Sequence, residues 1–323
     1  MALRGRAPSV ETSLYVGVDV GGTKVAAGMV DAEGRILSHV RVPMVSHSSA
    51  EEGLGAVLTA IEQTTAGSGA IAGIGICAPG PLDPVTGMIL NPPNVPCWRN
   101  FPLAESVRKV YSVKVLVDND ANAAALAETR WGAARGYKDV FYATIGTGIG
   151  TGIVMDGKMF HGHTGAAGEG GHTSIDYRGP LCRCGKRGCI EALASGTAIV
   201  QRAREKIASG SPSMMLDLAE GKADAITGET VAKAYERGDG LAREILLESV
   251  NFLTVWLSNM IDVLDPEVIV IGGGAAALYQ AFFDMLRQDL PKLTLNPRAG
   301  EVRIVPAYYG ADSGIAGGAA LCG

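Results

Sequence analysis

One local pattern occurs twice in the chain and limits what it can fold into. An apolar run, a glycine turn and a second apolar run follow one another at Val16–Val30, and again at Tyr142–Met155. A glycine-based turn between two β-type runs is a hairpin signal, so each copy predicts paired antiparallel strands. One copy per half predicts two related α/β domains facing a common cleft, the usual place for a small-molecule site. The length of 323 residues agrees, at about 100–200 residues per domain. Pattern alone places the boundary near Asp118. Residues 1–118 are expected to form a small α/β domain and residues 119–305 a large one. A helix at about 306–323 is expected to pack back on the first. Glycine numbers 44, about twice its usual share of roughly 7%, and it clusters between apolar runs as tight loops require.

The remaining elements can be read between these landmarks. Strands are expected at Leu14–Val20, Thr23–Val30 and Arg35–Val42, then a helix at Glu51–Thr65 and a buried strand at Ile71–Cys77. The proline-rich stretch Asp83–Pro102 reads as a loop long enough to be functional. A helix at Phe101–Val110 and a strand at Val113–Val117 lead into Asp118-Asn119-Asp120 and the helical run Ala121–Arg130. Val140–Ile145 is a strand, Gly146–Gly152 a turn and Ile153–Met155 a strand. Further on, Leu241–Leu264 has the broad apolar face of a core helix. Glu267–Ile271 is a strand ending in Gly272-Gly273-Gly274, with a helix from Ala276. The strand Val302–Val305 precedes a small-residue helix, Asp312–Leu321.

Composition removes several function classes. With 28 Lys+Arg against 33 Asp+Glu the net charge is −5, which argues against a sequence-independent grip on nucleic acid. No apolar run reaches the ~18–20 residues of a membrane span, and the first twenty residues lack the apolar core of a secretory leader. The expectation is a cytoplasmic protein without nucleic-acid or membrane partners. In a reducing compartment the cluster Cys182, Cys184, Cys189 is a candidate metal site rather than a set of crosslinks.

Four motifs carry candidate chemistry. In Asp19-Val20-Gly21-Gly22-Thr23-Lys24 the glycines let backbone N–H groups approach an anion, Thr23 and Lys24 can hydrogen-bond it, and Asp19 could hold hydrated magnesium. It is neither a Walker loop nor a dinucleotide turn, and it is equally an ordinary tight hairpin. In Gly146-Thr147-Gly148-Ile149-Gly150-Thr151-Gly152 four alternate glycines and hydroxyl side chains suit phosphate oxygens, although a bulged hairpin has the same look. Asn119-Asp120, where a strand meets a helix, is either a helix cap or a general base with a hydroxyl-binding neighbour. Three thiolates from Cys182, Cys184 and Cys189 with the imidazole of His172 would fill a tetrahedral zinc shell, leaving no open position. His161 and His163 compete as the nitrogen ligand, and free buried thiols are the alternative.

Taken together, DVGGTK, APGPLD, NVPCW, VDNDANAAALAE, TIGTGIGTG, GAAGEGGH, CRCGKRGCIEALASG and IVIGGG resemble the ROK family (repressors, open reading frames, kinases), from about residue 14 to 320. Within it the chain is most similar to bacterial ATP-dependent glucokinases. The resemblance implies a bilobal, actin-like ATPase fold of two ribonuclease-H-like halves. It implies phosphorylation of a hexose at the 6-hydroxyl, most simply glucose, with Asp120 as catalytic base. Gly80, Asn94, Asn119, Asp120, Glu169, His172 and Glu191 would bind the sugar. Asp19, Gly21, Gly22, Thr23, Lys24, Gly146, Thr147, Gly148 and Gly150 would serve the ATP phosphates and Mg2+, and Gly272, Gly273 and Gly274 the nucleoside side. His172, Cys182, Cys184 and Cys189 match the family's structural Zn2+ ligands, with His172 also turned toward the sugar. A homodimer or larger homo-oligomer is implied as well.

Two positions depart from the family pattern. Thr151 stands where many members carry a third glycine, and Cys97 occupies a frequent glycine position before Trp98. Kinases for N-acetylmannosamine, N-acetylglucosamine or fructose share these motifs and are the alternatives within the enzyme class. A sugar-responsive repressor would need a helix-turn-helix ahead of the first strand, where thirteen residues stand. A non-catalytic sensor should have lost Asp120 or a glycine turn.

Overall fold

The structure is a computed structural model that describes residues 13–323. Residues 1–12, which carry most of the reading against a leader and a DNA-binding module, lie outside them. The described chain divides into two units. One takes in the residues up to Ala123 together with Gly314–Gly323, and the other is Ala124–Ser313.

The division falls inside the helix Asp120–Arg130, not at Asp118, and again at Ser313 rather than near residue 305. The strand Lys114–Asn119 runs into that helix with no linker. Asp118 accepts a bond from Asn122 Nδ2 at 3.1 Å, which ties the first helical turn to the strand. Asn119 and Asp120 therefore sit with the first unit.

That unit is built on β1 (Tyr15–Val20), β2 (Lys24–Val30), β3 (Val40–Pro43), β4 (Gly73–Ala78), the short hairpin β5 (Leu82–Asp83) and β6 (Met88–Ile89), and β7 (Lys114–Asn119). Its main sheet has the order β3-β2-β1-β4-β7. The first three strands are antiparallel, and β1, β4 and β7 are parallel. The helix Ala50–Thr65 covers one face, started by Ser49 Oγ, which accepts from Glu52 N at 3.1 Å. Val57, Ile61, Ile74, Ile76 and Trp98 fill the core beneath it.

The other face is closed by the small-residue helix Ser313–Cys322. Gly17 and Gly75 are register partners on β1 and β4. A Cβ on either would drive into the carbonyl oxygens of Ile315 and Gly318, respectively. Helix backbone thus lies directly on strand backbone. That contact is why both sides are written in glycine and alanine.

The second unit repeats the plan with β8 (Val140–Ile145), β9 (Ile149–Met155), β10 (Lys158–Met159), β11 (Val268–Gly272) and β12 (Arg303–Pro306). The order is β10-β9-β8-β11-β12, again three antiparallel strands followed by two parallel neighbours. This is the ribonuclease-H-like topology twice over, the α/β actin-like ATPase fold. The 25-residue helix Gly240–Leu264 buries Ile245, Leu253, Trp256 and Leu257 against one face. Ala124 and Ala125 pack with Tyr142, Val154 and Val270 on the other. Among the described residues no helix is long and apolar enough to cross a membrane.

Two expected elements have other starts than the residue pattern suggests, one later and one earlier. β3 begins at Val40 rather than Arg35, because Asp31 draws Arg35 back through its backbone N–H (2.9 Å) and Nε (2.6 Å). Only the single bridge Val30–Ile36 forms before it. In the second hairpin the turn ends at Gly148, and Gly150 and Gly152 lie within β9 rather than in the turn.

Candidate functional site

In the first unit, the turn after β1 is closed by Gly21 N donating to Lys24 O at 2.9 Å. A Cβ on Gly22 would meet the carbonyl oxygen of Asn94 at 2.6 Å, so the exposed Asn94 is seated on this turn. Asp19 lies at the end of β1, half-buried, with the helix Ser313–Cys322 behind it, where a Cβ on Gly314 would strike its carboxyl group. Burial raises the Asp19 carboxyl to about 6; the Asp120 carboxylate adds to this and Lys24 opposes it.

A testable consequence concerns stability. A carboxyl with a raised folded-state pKa keeps a proton that the unfolded chain releases above its ordinary 3.8. This group's contribution is therefore fullest below about pH 4 and declines as pH rises toward 6. Asp19→Asn should remove that decline and gain on the order of 1–2 kcal/mol relative to the parent at pH 7. Melting curves of the two proteins that stay parallel from pH 4 to 7 would refute it.

Asn119 and Asp120 share the start of the helix Asp120–Arg130. Ala121 N donates to Asn119 Oδ1 at 2.9 Å and to Asp120 Oδ1 at 2.8 Å. The capping role suspected for Asp120 is thus shared with Asn119, while the Asp120 side chain remains exposed. Gly80 is close by, since a Cβ there would lie 3.7 Å from Asn119 Nδ2. The first unit therefore gathers Asp19, the Gly21–Lys24 turn, Gly80, Asn94, Asn119 and Asp120. Trp98, next to Cys97, is fully buried core, stacked on Phe101 and bonded to Ala50 O at 3.2 Å.

In the second unit, Gly146 N donates to Gly148 O at 2.9 Å, and Gly196 N donates to Gly146 O at 2.8 Å. A Cβ on Gly146 or Gly274 would meet nothing within 4 Å, and neither glycine has the positive φ that would demand it. Both border a cavity of about 810 Å3, lined in addition by Thr147, Thr197, Gln201, Arg204 and Glu229. Those last four are absent from the sequence reading. They come from two helices, Gly196–Ala208 and Gly228–Glu236, whose lining residues form no contiguous motif. Gly272 and Gly273 do not line this cavity. A Cβ on Gly272 would press on Tyr142 and Ala307, and Gly273 has φ +92° against Ile145 and Thr144.

Gly148 has a neighbour that its motif does not suggest. A Cβ there would collide with Glu191 Oε2, which also accepts from Ile149 N at 3.0 Å. Glu191 sits on the short helix Ile190–Ala194, directly after Cys189. Its other oxygen is 3.9 Å from His172 Nδ1. The Gly170–His172 turn is pinned by Trp256 Nε1, which donates to Gly170 O (3.1 Å) and Thr173 Oγ1 (2.9 Å). Glu169 stands exposed at the start of that turn.

His172, Cys182, Cys184 and Cys189 bring their ligand atoms within 4.8 Å of one another. His161 and His163 are not in this group. Cys184 Sγ–Cys189 Sγ and Cys182 Sγ–His172 Nδ1 are both 3.6 Å. Metal–ligand bonds of roughly 2.0–2.3 Å at tetrahedral angles give ligand–ligand edges of about 3.5–3.8 Å, whereas a disulfide needs about 2.05 Å. Burial pushes the Cys189 thiol up to about 12, the two neighbouring sulfurs adding to it. The Lys186 backbone N–H lowers the exposed Cys184. The donor set and its spacing fit a zinc-type cation, which stabilises adjacent thiolates.

Comparison with known proteins agrees with this architecture from end to end. The ROK family model matches residues 15–323. The glucokinase of Thermotoga maritima is 33% identical over 306 residues, covering 95% of this chain and 96% of that one. The N-acetylmannosamine kinase of Escherichia fergusonii is 32% identical over 307 residues, covering 94% and 96%. Among solved structures, a ROK family glucokinase from Streptomyces griseus in complex with glucose and AMPPNP superposes with a TM-score of 0.81 at 35% identity, covering 96% of this chain and 99% of that one. The chain belongs to the ROK family.

Proposed function

We propose that this ATP-dependent sugar kinase transfers the γ-phosphoryl group of ATP to the 6-hydroxyl of glucose. The kinase class follows from full-length likeness to glucokinases, one of them solved with glucose and an ATP analogue. The geometry that carries the sugar assignment is Glu191, held at once against the Cys/His cluster and against the strand leaving the second glycine turn. A carboxylate fixed between an anion-binding turn and a rigid cluster is suited to orient an acceptor hydroxyl.

In this reading Asp120 accepts the proton of the 6-hydroxyl as its oxygen bonds to the γ-phosphorus and the bond to ADP breaks. Gly80, Asn94, Asn119, Glu169, His172 and Glu191 bind the remaining hydroxyls. Backbone N–H groups of Gly21–Lys24 and Gly146–Gly148 receive phosphate oxygens, and the cavity beside Gly274 takes the nucleoside. Asp19 would hold Mg2+ through water, and that ion neutralises phosphate charge when bound. His172, Cys182, Cys184 and Cys189 would hold Zn2+, which fixes Glu191 and the Gly170–His172 turn rather than touching phosphate.

A panel of glucose, fructose, N-acetylmannosamine and N-acetylglucosamine, followed by ADP release, tests the assignment. Glucose is expected to give the highest kcat/KM, with phosphorus NMR placing the product phosphate on C6. Preference for another sugar by tenfold or more would overturn it. N-acetylmannosamine is the second reading, supported by the 32% identity with that kinase over a comparable span.

The position of Gly148 makes one consequence specific. Gly148→Val should displace Glu191 as well as crowd the phosphate turn, so sugar affinity should fall by at least about tenfold, alongside any loss of ATP affinity. Calorimetry with glucose alone measures it, and unchanged glucose binding would separate Glu191 from the sugar.

A further inference from the structure

Thr151 is almost fully buried on β9, at 2% exposure. Its Oγ1 donates to Gly168 O and accepts from Gly170 N at 2.9 Å. Those are the two peptide groups on either side of Glu169. A Cβ on Gly170 would lie 2.7 Å from the same oxygen, so the turn is pressed against this hydroxyl. Two residues earlier on the strand, Ile149 N holds Glu191, and Gly171 packs on Ile149 O. One strand thus holds the Glu191 carboxylate and the backbone on both sides of Glu169, and it begins where the Gly146–Gly148 turn ends.

We propose that Thr151 is a positioning residue for the sugar acceptor side chains, tying the backbone around Glu169 to the strand that also binds the Glu191 carboxylate and leaves the second glycine turn. A glycine at this position would have no hydroxyl to make either bond, so the clamp depends on the threonine side chain. In the role given to Glu169 and Glu191 the proposal rests on the sugar-kinase reading above; the clamp on the turn does not depend on it.

The test uses Thr151→Val, Thr151→Ser and the parent protein. Valine matches threonine in shape but leaves Gly168 C=O and Gly170 N–H unmet, and a buried unmet pair costs roughly tenfold or more in the equilibrium it serves. Hydrogen exchange of the amides in residues 169–173 should be at least about tenfold faster in Thr151→Val and near parental in Thr151→Ser. Glucose KM should rise by about tenfold in the valine variant, with ATP KM, zinc content and melting temperature changed little, and serine should restore it. Parental exchange in Thr151→Val would overturn the clamp. Faster exchange with an unaltered glucose KM, or with ATP KM moved equally, would overturn its link to the sugar. Failure of the parent to phosphorylate any hexose would instead reject the kinase reading, and the exchange result would still decide the clamp. If the valine variant does not fold, Thr151→Gly supplies the same comparison without the hydroxyl.

Discussion

Asp120→Asn should turn over glucose at least about 10²-fold more slowly than the parent protein while keeping most of its glucose affinity. Asparagine has the size of aspartate and can still accept from Ala121 N, a bond shared with Asn119 Oδ1, so the helix start should survive. What disappears is the group that takes the proton. The substitution also removes a negative charge from the surroundings of Asp19, whose carboxyl Asp120 helps to raise. The Asp19 titration should therefore move down toward the ordinary carboxylate range in the variant. Turnover within a few-fold of the parent, in protein with a normal melting curve, would remove Asp120 from the role of base.

Loss of the metal should have the second largest effect. One zinc per chain should copurify, countable by elemental analysis. Cys184→Ser should weaken the site, since a serine hydroxyl is a poorer ligand than a thiolate at neutral pH. The damage should spread unevenly. His172 and Cys189 bracket the turn and helix that carry Glu169 and Glu191, whereas the cavity beside Gly274 is lined by other helices. Glucose binding should fall by about 10–100-fold, the range typical when the groups that orient a site are lost, and ATP binding by much less. Full activity in protein shown to contain no zinc would reject the arrangement.

Much of the fold can be read from residue order, because its marks are local. Val140–Ile145 has the expected bounds, since apolar residues fill it and Asp139 and Gly146 punctuate its ends. The long helix differs by one residue from its apolar pattern, starting at Gly240 after the Asp239 cap. The two-residue strands β5 and β6 lie in and beside a proline-rich stretch and are too short to leave a periodic trace. The start of β3 depends on the side chain of Asp31, and no strand propensity encodes that.

The candidate site divides along the same line. Motifs locate Asp19, Asp120, His172 and the three cysteines because each lies in a compact stretch of unusual residues. They do not reveal a further constraint on Gly148, whose bare Cα leaves room for a carboxylate 43 positions later. They are silent on Gln201, Arg204 and Glu229, which become neighbours only when separate helices fold around one cavity. A spacing rule reads chemistry carried by one segment. It cannot read chemistry that separate segments assemble.

The seam between the sheet and the helix Ser313–Cys322 has a consequence for how this protein can change over time. Where side chains interlock, a lost methyl on one surface can be answered by a gained methyl on the other, and the pair drifts together. At Gly17 and Gly75 the opposing atoms are main-chain oxygens, which no codon can trim. There is no compensating partner to mutate, so these positions have no neighbouring sequence to step to. The seam also backs Asp19, through Gly314. A surface that cannot drift thus stands behind one of the proposed site's carboxylates, and it keeps that group in place while the side-chain core around it remains free to be rewritten.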